Sequence, residues 1–141
     1  MISNPTTTEG SVPVRSENDV VTSRQFVRKL AQQLGFSLVD QTKMVTAASE
    51  LSRNVLVYGG GGDMEWRLRQ DGLRPGLTLS FVDQGPGIPD LELAMKDGWT
   101  TGGSLGKGLP GSKRLVNEFE LESTVGQGTR VIVTRVPWPT V

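Results

Sequence analysis

The chain of 141 residues contains no cysteine and no histidine. The first absence removes disulfide frameworks and thiolate metal sites. The second removes the commonest general base, the commonest metal ligand, Ser-His-Asp catalysis and any phosphohistidine intermediate. Net charge is missing too, because 15 Lys and Arg balance 15 Asp and Glu. A neutral chain with no basic stripe has no electrostatic footprint for nucleic acid. No apolar run approaches the roughly 20 residues that cross a bilayer. The polar N-terminus lacks a signal-peptide core. These absences lead to the expectation of a cytoplasmic protein that engages neither nucleic acid nor membrane. The length suits one domain with a core of its own.

Glycine, by contrast, is abundant, with 18 of 141 residues, where about 7% is usual. The glycines cluster at 59–62, 85–87, 98–111 and 126–128. A flexible linker would gather them in one tract. Clusters between ordered-looking segments point to loops shaped for close backbone approach, or to tight turns in a small domain.

Residues 1–10 are polar and patternless and read as a tail, with one domain over 11–141. Residues 11–15 alternate weakly, and Pro13 makes them an edge strand. Ser16 and Asp19 have capping-box spacing. They open a helix over 17–34 with Val20, Val27, Leu30 and Leu34 on one face and Phe26 beside it. Gly35 stops it. Ser37 and Asp40 repeat the spacing for a helix over 38–58, striped by Met44, Ala48, Leu51 and Val55. Residues 64–69 alternate as a strand with one wet face. Asp71 to Gly76 reads as a hairpin-like turn and 77–82 as a buried strand. Asp90 caps a short helix near 91–97. A glycine-rich loop follows over 98–109. Pro110 suits the first turn of a helix to Asn117. Strands at 119–123 and 129–136 flank a turn at 125–128. The order β-α-α-β-β-α-α-β-β indicates an α+β fold whose mixed, largely antiparallel sheet carries helices on one face.

Four pieces offer chemistry. On the second helix, Glu50 and Asn54 stand four apart and share a face. A carboxylate accepts a proton from a hydroxyl, and an amide oxygen suits Mg²⁺. A polar rim pair facing water is the plainer alternative. The stretch Asp83-Gln84-Gly85-Pro86-Gly87-Ile88-Pro89 sets a carboxylate at a strand end. Its glycines let the backbone approach a ligand, or simply turn. The run Gly102 to Gly111 carries Lys107. Gly106, Gly108 and Gly111 match G-x-G-x-x-G, but no strand precedes them. The P-loop pattern fails at Thr101 and at Gly108. What remains is a loop with one lysine leading into the N-terminus of a helix that starts at Pro110, a ready anion site. Gly126-Gln127-Gly128-Thr129 is a hairpin turn whose threonine could reach a ligand.

Together and in this order, these pieces resemble the GHKL ATPase superfamily with its Bergerat-type fold. That superfamily carries an N-box with Glu and Asn, then D-x-G-x-G, a glycine-rich lid, and G-x-G-T. Val82 to Asp90, and Leu105-Gly106-Lys107-Gly108-Leu109-Pro110-Gly111 followed by Lys113-Arg114-Leu115, narrow the likeness to RsbT-type serine/threonine kinases, the anti-sigma regulatory factor kinases of bacterial stress signalling. The likeness covers roughly residues 11–136.

The resemblance implies ATP and Mg²⁺ as cofactors. It implies that Asp83 accepts from the adenine amino group, with Gly85 and Gly87 passing the base and Thr129 supporting it. Asn54 would hold Mg²⁺. Gly106, Lys107 and Gly108 would close on the phosphates, and Glu50 would orient or deprotonate the acceptor hydroxyl. A site role for Arg53 competes with that of a surface arginine. The partners implied are a STAS-domain antagonist of RsbS type as substrate, a PP2C-type phosphatase of RsbU type activated on release, and the stressosome. Phosphoryl transfer needs positioning and charge neutralisation above all. Few aromatics and a short lid favour a partner's loop as acceptor over a deep small-molecule pocket. Two rivals stand beside this reading. One is a non-catalytic, nucleotide-dependent binding module, such as an anti-sigma factor or a scaffold. The other is a clamp-type ATPase that hydrolyses ATP.

Overall fold

A computed structural model describes residues 8–71, 74–96 and 105–136. In chain order it contains β1 (Glu9–Val14), α1 (Glu17–Gln33), α2 (Leu38–Val57), β2 (Gly62–Asp71), β3 (Arg74–Asp83), α3 (Leu91–Ala94), α4 (Leu105–Arg114), β4 (Glu118–Thr124) and β5 (Gly128–Arg135). The strands form one sheet in the order β1-β2-β3-β5-β4. All four pairings are antiparallel, so the largely antiparallel sheet expected from the sequence has no parallel member among the described residues.

Both long helices begin as the sequence predicts. Ser16 accepts the Asp19 N–H at 3.1 Å and Ser37 that of Asp40 at 3.1 Å, satisfying donors that a helix start leaves orphaned. Gly35, with φ of 75°, ends α1. The Phe36 N–H reaches the Ala31 carbonyl at 3.0 Å and the Gly35 N–H that of Gln32 at 3.0 Å. That bonding is a Schellman closure, which needs a residue tolerant of the left-handed region. It turns α2 back along α1, and Ser23 meets Ser52 between them at 3.2 Å.

The core lies between these helices and one sheet face. Val14, Met64, Leu77, Leu79, Phe81 and Val133 face inward and are fully buried, against Val20, Val27, Met44, Ala48 and Leu51. The other face alternates charge with small polar residues. Glu65–Arg130 at 3.0 Å and Arg69–Glu118 at 3.5 Å cross it. Partly exposed pairs of this kind contribute at most about 1 kcal/mol each.

Several boundaries differ from the sequence expectation. β1 begins at Glu9, inside the stretch read as a tail, and the Leu68 N–H donates to the Thr8 carbonyl at 2.7 Å. The turn expected over 71–76 is shorter, because the β2–β3 ladder runs to Asp71↔Arg74. Pro75 is tolerated in β3 because pairing with β5 starts only at Leu77. The helix after Asp90 ends at Ala94 and not near 97.

The largest correction concerns α4. It starts at Leu105, with Pro110 inside it, so residues 105–109 are helix and not loop. Three glycines at about 1 kcal/mol each and a proline at about 3 make this segment a poor helix by propensity. Tertiary burial overrides that cost: Leu109 and Ser112, three apart, are both buried where α4 packs on α2.

Candidate functional site

A cavity of about 430 Å³ opens between α2, the end of β3, the loop after it, α4 and β5. Asn54, Asp83, Gly87 and Thr129 line it together, although up to 75 positions separate them in the chain. Leu51, Val55, Tyr58, Phe81, Ile88, Leu93, Leu109 and Val131 complete walls that are mostly apolar. Such walls with few polar groups are the usual make-up of a small-molecule site.

Asp83 ends β3, paired with Gly62 on one side and Thr129 on the other. Its Oδ1 accepts the Gly85 N–H at 2.9 Å. Burial pushes its carboxyl above the ordinary range, and the N–H groups of Gly85 and Thr129 pull it partly back. The floor behind Asp83 is glycine. A Cβ on Gly59 would lie 2.6 Å from Asp83 Oδ2 and closer still to its Cβ and Cγ. A Cβ on Gly85 would lie 2.8 Å from Gly59 Cα. Gly85 therefore does not line the cavity; it lets the loop cross the end of α2 and donates to Asp83.

Gly87 has φ of 79°, and a Cβ there would sit 2.5 Å from the Thr124 carbonyl oxygen. Only glycine satisfies both the conformation and the space. Ser123 ties this loop to the β4–β5 hairpin. Its Oγ accepts the Ile88 N–H at 2.8 Å, donates to the Gly128 carbonyl at 3.1 Å and meets Thr129 Oγ1 at 2.8 Å.

Asn54 supplies a different signal. The residue is buried, and neither Oδ1 nor Nδ2 has a hydrogen-bond partner among the described residues. An unpaired buried amide costs about 1–3 kcal/mol, so a group aimed into a cavity in this state is set for a ligand. Its neutral oxygen suits Mg²⁺, which takes few protein ligands, and the residues present fit the metal and nucleotide expected.

The remaining candidates lie at the margin. Glu50 sits one turn before Asn54 on α2, half-buried and outside the cavity lining. Its Cβ is about 6 Å from that of Asn54 by helix geometry. Arg53 turns instead to Glu17, at 3.2 Å. Gly106, Lys107 and Gly108 fall in the first turn of α4. The expected anion site at a helix starting on Pro110 thus shifts to a start at Leu105. Gly102, Gly103 and Ser104 lie outside the described residues.

Sequence reasoning missed Tyr58, Ile88, Leu93, Leu109 and Val131 as walls, Gly59 as the floor under Asp83, and Ser123 as the tie. Val131 had a signal in the alternation of its strand. Gly59 was legible only as a helix stop, and Ser123 as nothing more than a strand residue.

Comparison with known proteins places the chain in a family. Residues 39–140 match the family model of histidine kinase-, DNA gyrase B-, and HSP90-like ATPases. The chain is 46% identical over 123 residues to the serine/threonine-protein kinase RsbT of Bacillus subtilis (strain 168), covering 87% of this chain and 92% of that one. It is 30% identical over 127 residues to the anti-sigma F factor of Thermoanaerobacter sp. (strain X514), covering 86% and 87%. Among solved structures, the RsbU and RsbW domains of a Mycobacterium tuberculosis protein share its fold, with a TM-score of 0.66 at 20% identity. That match spans 94% of this chain and 34% of the other. The chain belongs to the histidine kinase-, DNA gyrase B- and HSP90-like ATPase (GHKL) family, in its branch of RsbT-type serine/threonine kinases.

Proposed function

We propose that this protein transfers the γ-phosphoryl group of ATP to a serine or threonine of a STAS-domain antagonist of RsbS type. The carrying observation is the buried amide of Asn54, unpartnered among the described residues, in one cavity with Asp83. The apolar walls suit a purine, and Asp83, an acceptor at the cavity floor, suits the exocyclic amino group of adenine. Asn54 is the residue that would hold Mg²⁺, which supplies charge neutralisation on the phosphates when bound. The N-terminal turn of α4, with Lys107 in it, offers free N–H groups and a positive dipole end to the same phosphates.

Glu50, one turn from Asn54 on the margin of the site, serves as the group that orients or deprotonates the acceptor hydroxyl. Among the described residues no hydrogen bond or ion pair holds its carboxylate. A base outside the cavity lining fits an acceptor that arrives on a partner's loop. Similarity to RsbT and to anti-sigma F factors supports a regulatory setting. In it, transfer to the antagonist frees the kinase to activate a PP2C-type phosphatase of RsbU type within a cytoplasmic stressosome pathway.

The test is labelled Mg-ATP with a co-purifying STAS-domain protein, followed by mass spectrometry of the acceptor. Glu50→Gln is expected to bind Mg-ATP like the parent and to lose transfer. Asn54→Ala is expected to lose both. Undiminished phosphorylation by both variants overturns the mechanism. Nucleotide-dependent capture of the partner by the parent with no transfer would favour the binding-module reading instead.

A further inference from the structure

At the end of β5 opposite the cavity, a charged residue points into the core. Val131, Val133 and Arg135 share the inward face of β5, and Arg135 is 6% exposed. It stands six residues from Thr129, about 20 Å along the strand. A buried guanidinium must be paired and fully hydrogen-bonded to be tolerated.

Its partners come from two other elements. Asp40 Oδ1, near the start of α2 and 8% exposed, accepts from Nε at 3.0 Å and from Nη2. Asp40 Oδ2 in turn accepts from Ser37 Oγ at 3.0 Å. Nη1 of Arg135 donates to the Leu115 carbonyl at 2.8 Å. That carbonyl is the first beyond the end of α4, one of the acceptors a helix terminus leaves without an intrahelical partner. Next to it the Asn117 N–H reaches the Thr134 carbonyl at 2.9 Å, and Asn117 Oδ1 accepts the Val136 N–H at 2.7 Å.

α4 needs such an anchor. Its glycines and Pro110 give it little helical preference of its own. Its middle is held by Leu109, which also walls the cavity, and by Ser112. Its C-terminal end is held by Arg135 against α2 and β5. With that end fixed, Leu109 is held in the cavity wall, and the N-terminal turn of α4 precedes it directly in the helix.

We propose that Arg135 is a positioning residue for nucleotide binding: bridging Asp40 and the Leu115 carbonyl, it fixes the far end of α4 and so sets how well the near end holds the terminal phosphate of ATP. This rests on the reading of the cavity as an ATP site.

The test compares Mg-ATP and Mg-ADP binding by calorimetry with amide hydrogen exchange on the full chain. Arg135→Lys keeps the charge but not the fork that serves two acceptors at once. An Asp40→Leu/Arg135→Met double variant removes the pair and leaves an apolar core, a change that buried pairs often tolerate without loss of stability. It frees the Leu115 carbonyl all the same and serves if the lysine variant does not fold.

The expected result in a folded variant is about a tenfold loss of Mg-ATP affinity, the scale of one unsatisfied buried carbonyl. ADP affinity should stay within about threefold of the parent, again by that conversion. The amides of Leu109 and of residues 111–115 should exchange faster while those of β2, β3 and β5 keep their rates. Equal losses for ATP and ADP, an unchanged ATP affinity, or slow exchange preserved in α4 would each overturn the proposal. A parent that binds neither nucleotide would overturn the ATP reading itself.

Discussion

Replacing Gly59 by alanine is a one-carbon probe of base recognition. Gly59 follows the C-terminal cap of α2, and its φ is not among the positive values of the chain, so alanine brings no conformational strain. It brings a collision with one side chain. The new Cβ would stand 2.6 Å from Asp83 Oδ2 and nearer still to Asp83 Cβ and Cγ, where carbon contacts settle at about 3.5–4.0 Å. Asp83 or the end of α2 must therefore move by about 1 Å. Moving the helix end disturbs a packed core and costs about 1–3 kcal/mol of stability. Moving the carboxylate breaks its 2.9 Å bond from the Gly85 N–H and turns it from the cavity. A hydrogen bond to a charged group contributes about 1.5–3 kcal/mol, so ATP affinity should fall by about 10- to 150-fold. The assay is calorimetric titration of parent and Gly59→Ala with Mg-ATP and Mg-GTP, beside thermal melts. Affinity for GTP, which lacks the adenine amino group, should change far less. The reasoning fails if ATP affinity stays within about twofold of the parent, or if ATP and GTP weaken together.

Three further substitutions probe the same frame. Burial raises the Asp83 carboxyl, so the folded state binds a proton more readily than the unfolded one. Its charged form therefore costs stability above the raised value, and that stability returns as pH falls through it towards 3.8. Asp83→Asn should melt higher than the parent at neutral pH, bind ATP poorly and lose the parent's decline in ATP affinity on acidification; titrations and melts across pH 4–8 check all three. Asn54→Ala removes a buried amide that is unpaired among the described residues, so it should stabilise the nucleotide-free protein by about 1 kcal/mol while abolishing Mg-dependent ATP binding, read by denaturant melts and titration. Gly111→Ala, with nothing within 4 Å of the added carbon, should stabilise α4 by up to about 1 kcal/mol, seen as slower exchange of its amides.

What was legible in the sequence was what short-range chemistry writes there. Ser16 and Ser37 announced helix starts because capping is local. Gly35 announced a stop for the same reason. The apolar stripe of α2 and the alternation of β2 were readable because burial on one face imposes a period. The residues of the site were readable as pieces, since Asp83, Gly87 and Thr129 mark chain reversals. Their convergence was readable only through the family resemblance and not from local chemistry: the walls come from five elements, and Gly59 meets Asp83 across 24 positions through packing alone. The start of α4 was misread because Gly106, Gly108 and Pro110 contradict a helix locally. Only Leu109, buried at the cavity, and the Arg135 contact at the other end supply the reason for one. Arg135 was covered only by the strand at 129–136, although period two places it on the inward face with Val131 and Val133. The misread start of α4 and the buried Arg135 both fall where a local rule is broken and a distant contact compensates. A consistent sequence breaks such rules chiefly at functional or strained positions. One break lies in the helix at the cavity and the other at that helix's anchor, so they are two ends of one device. A helix too weak to stand alone responds to what holds it, and here that is the cavity wall at Leu109 and a buried arginine beyond its C-terminal end.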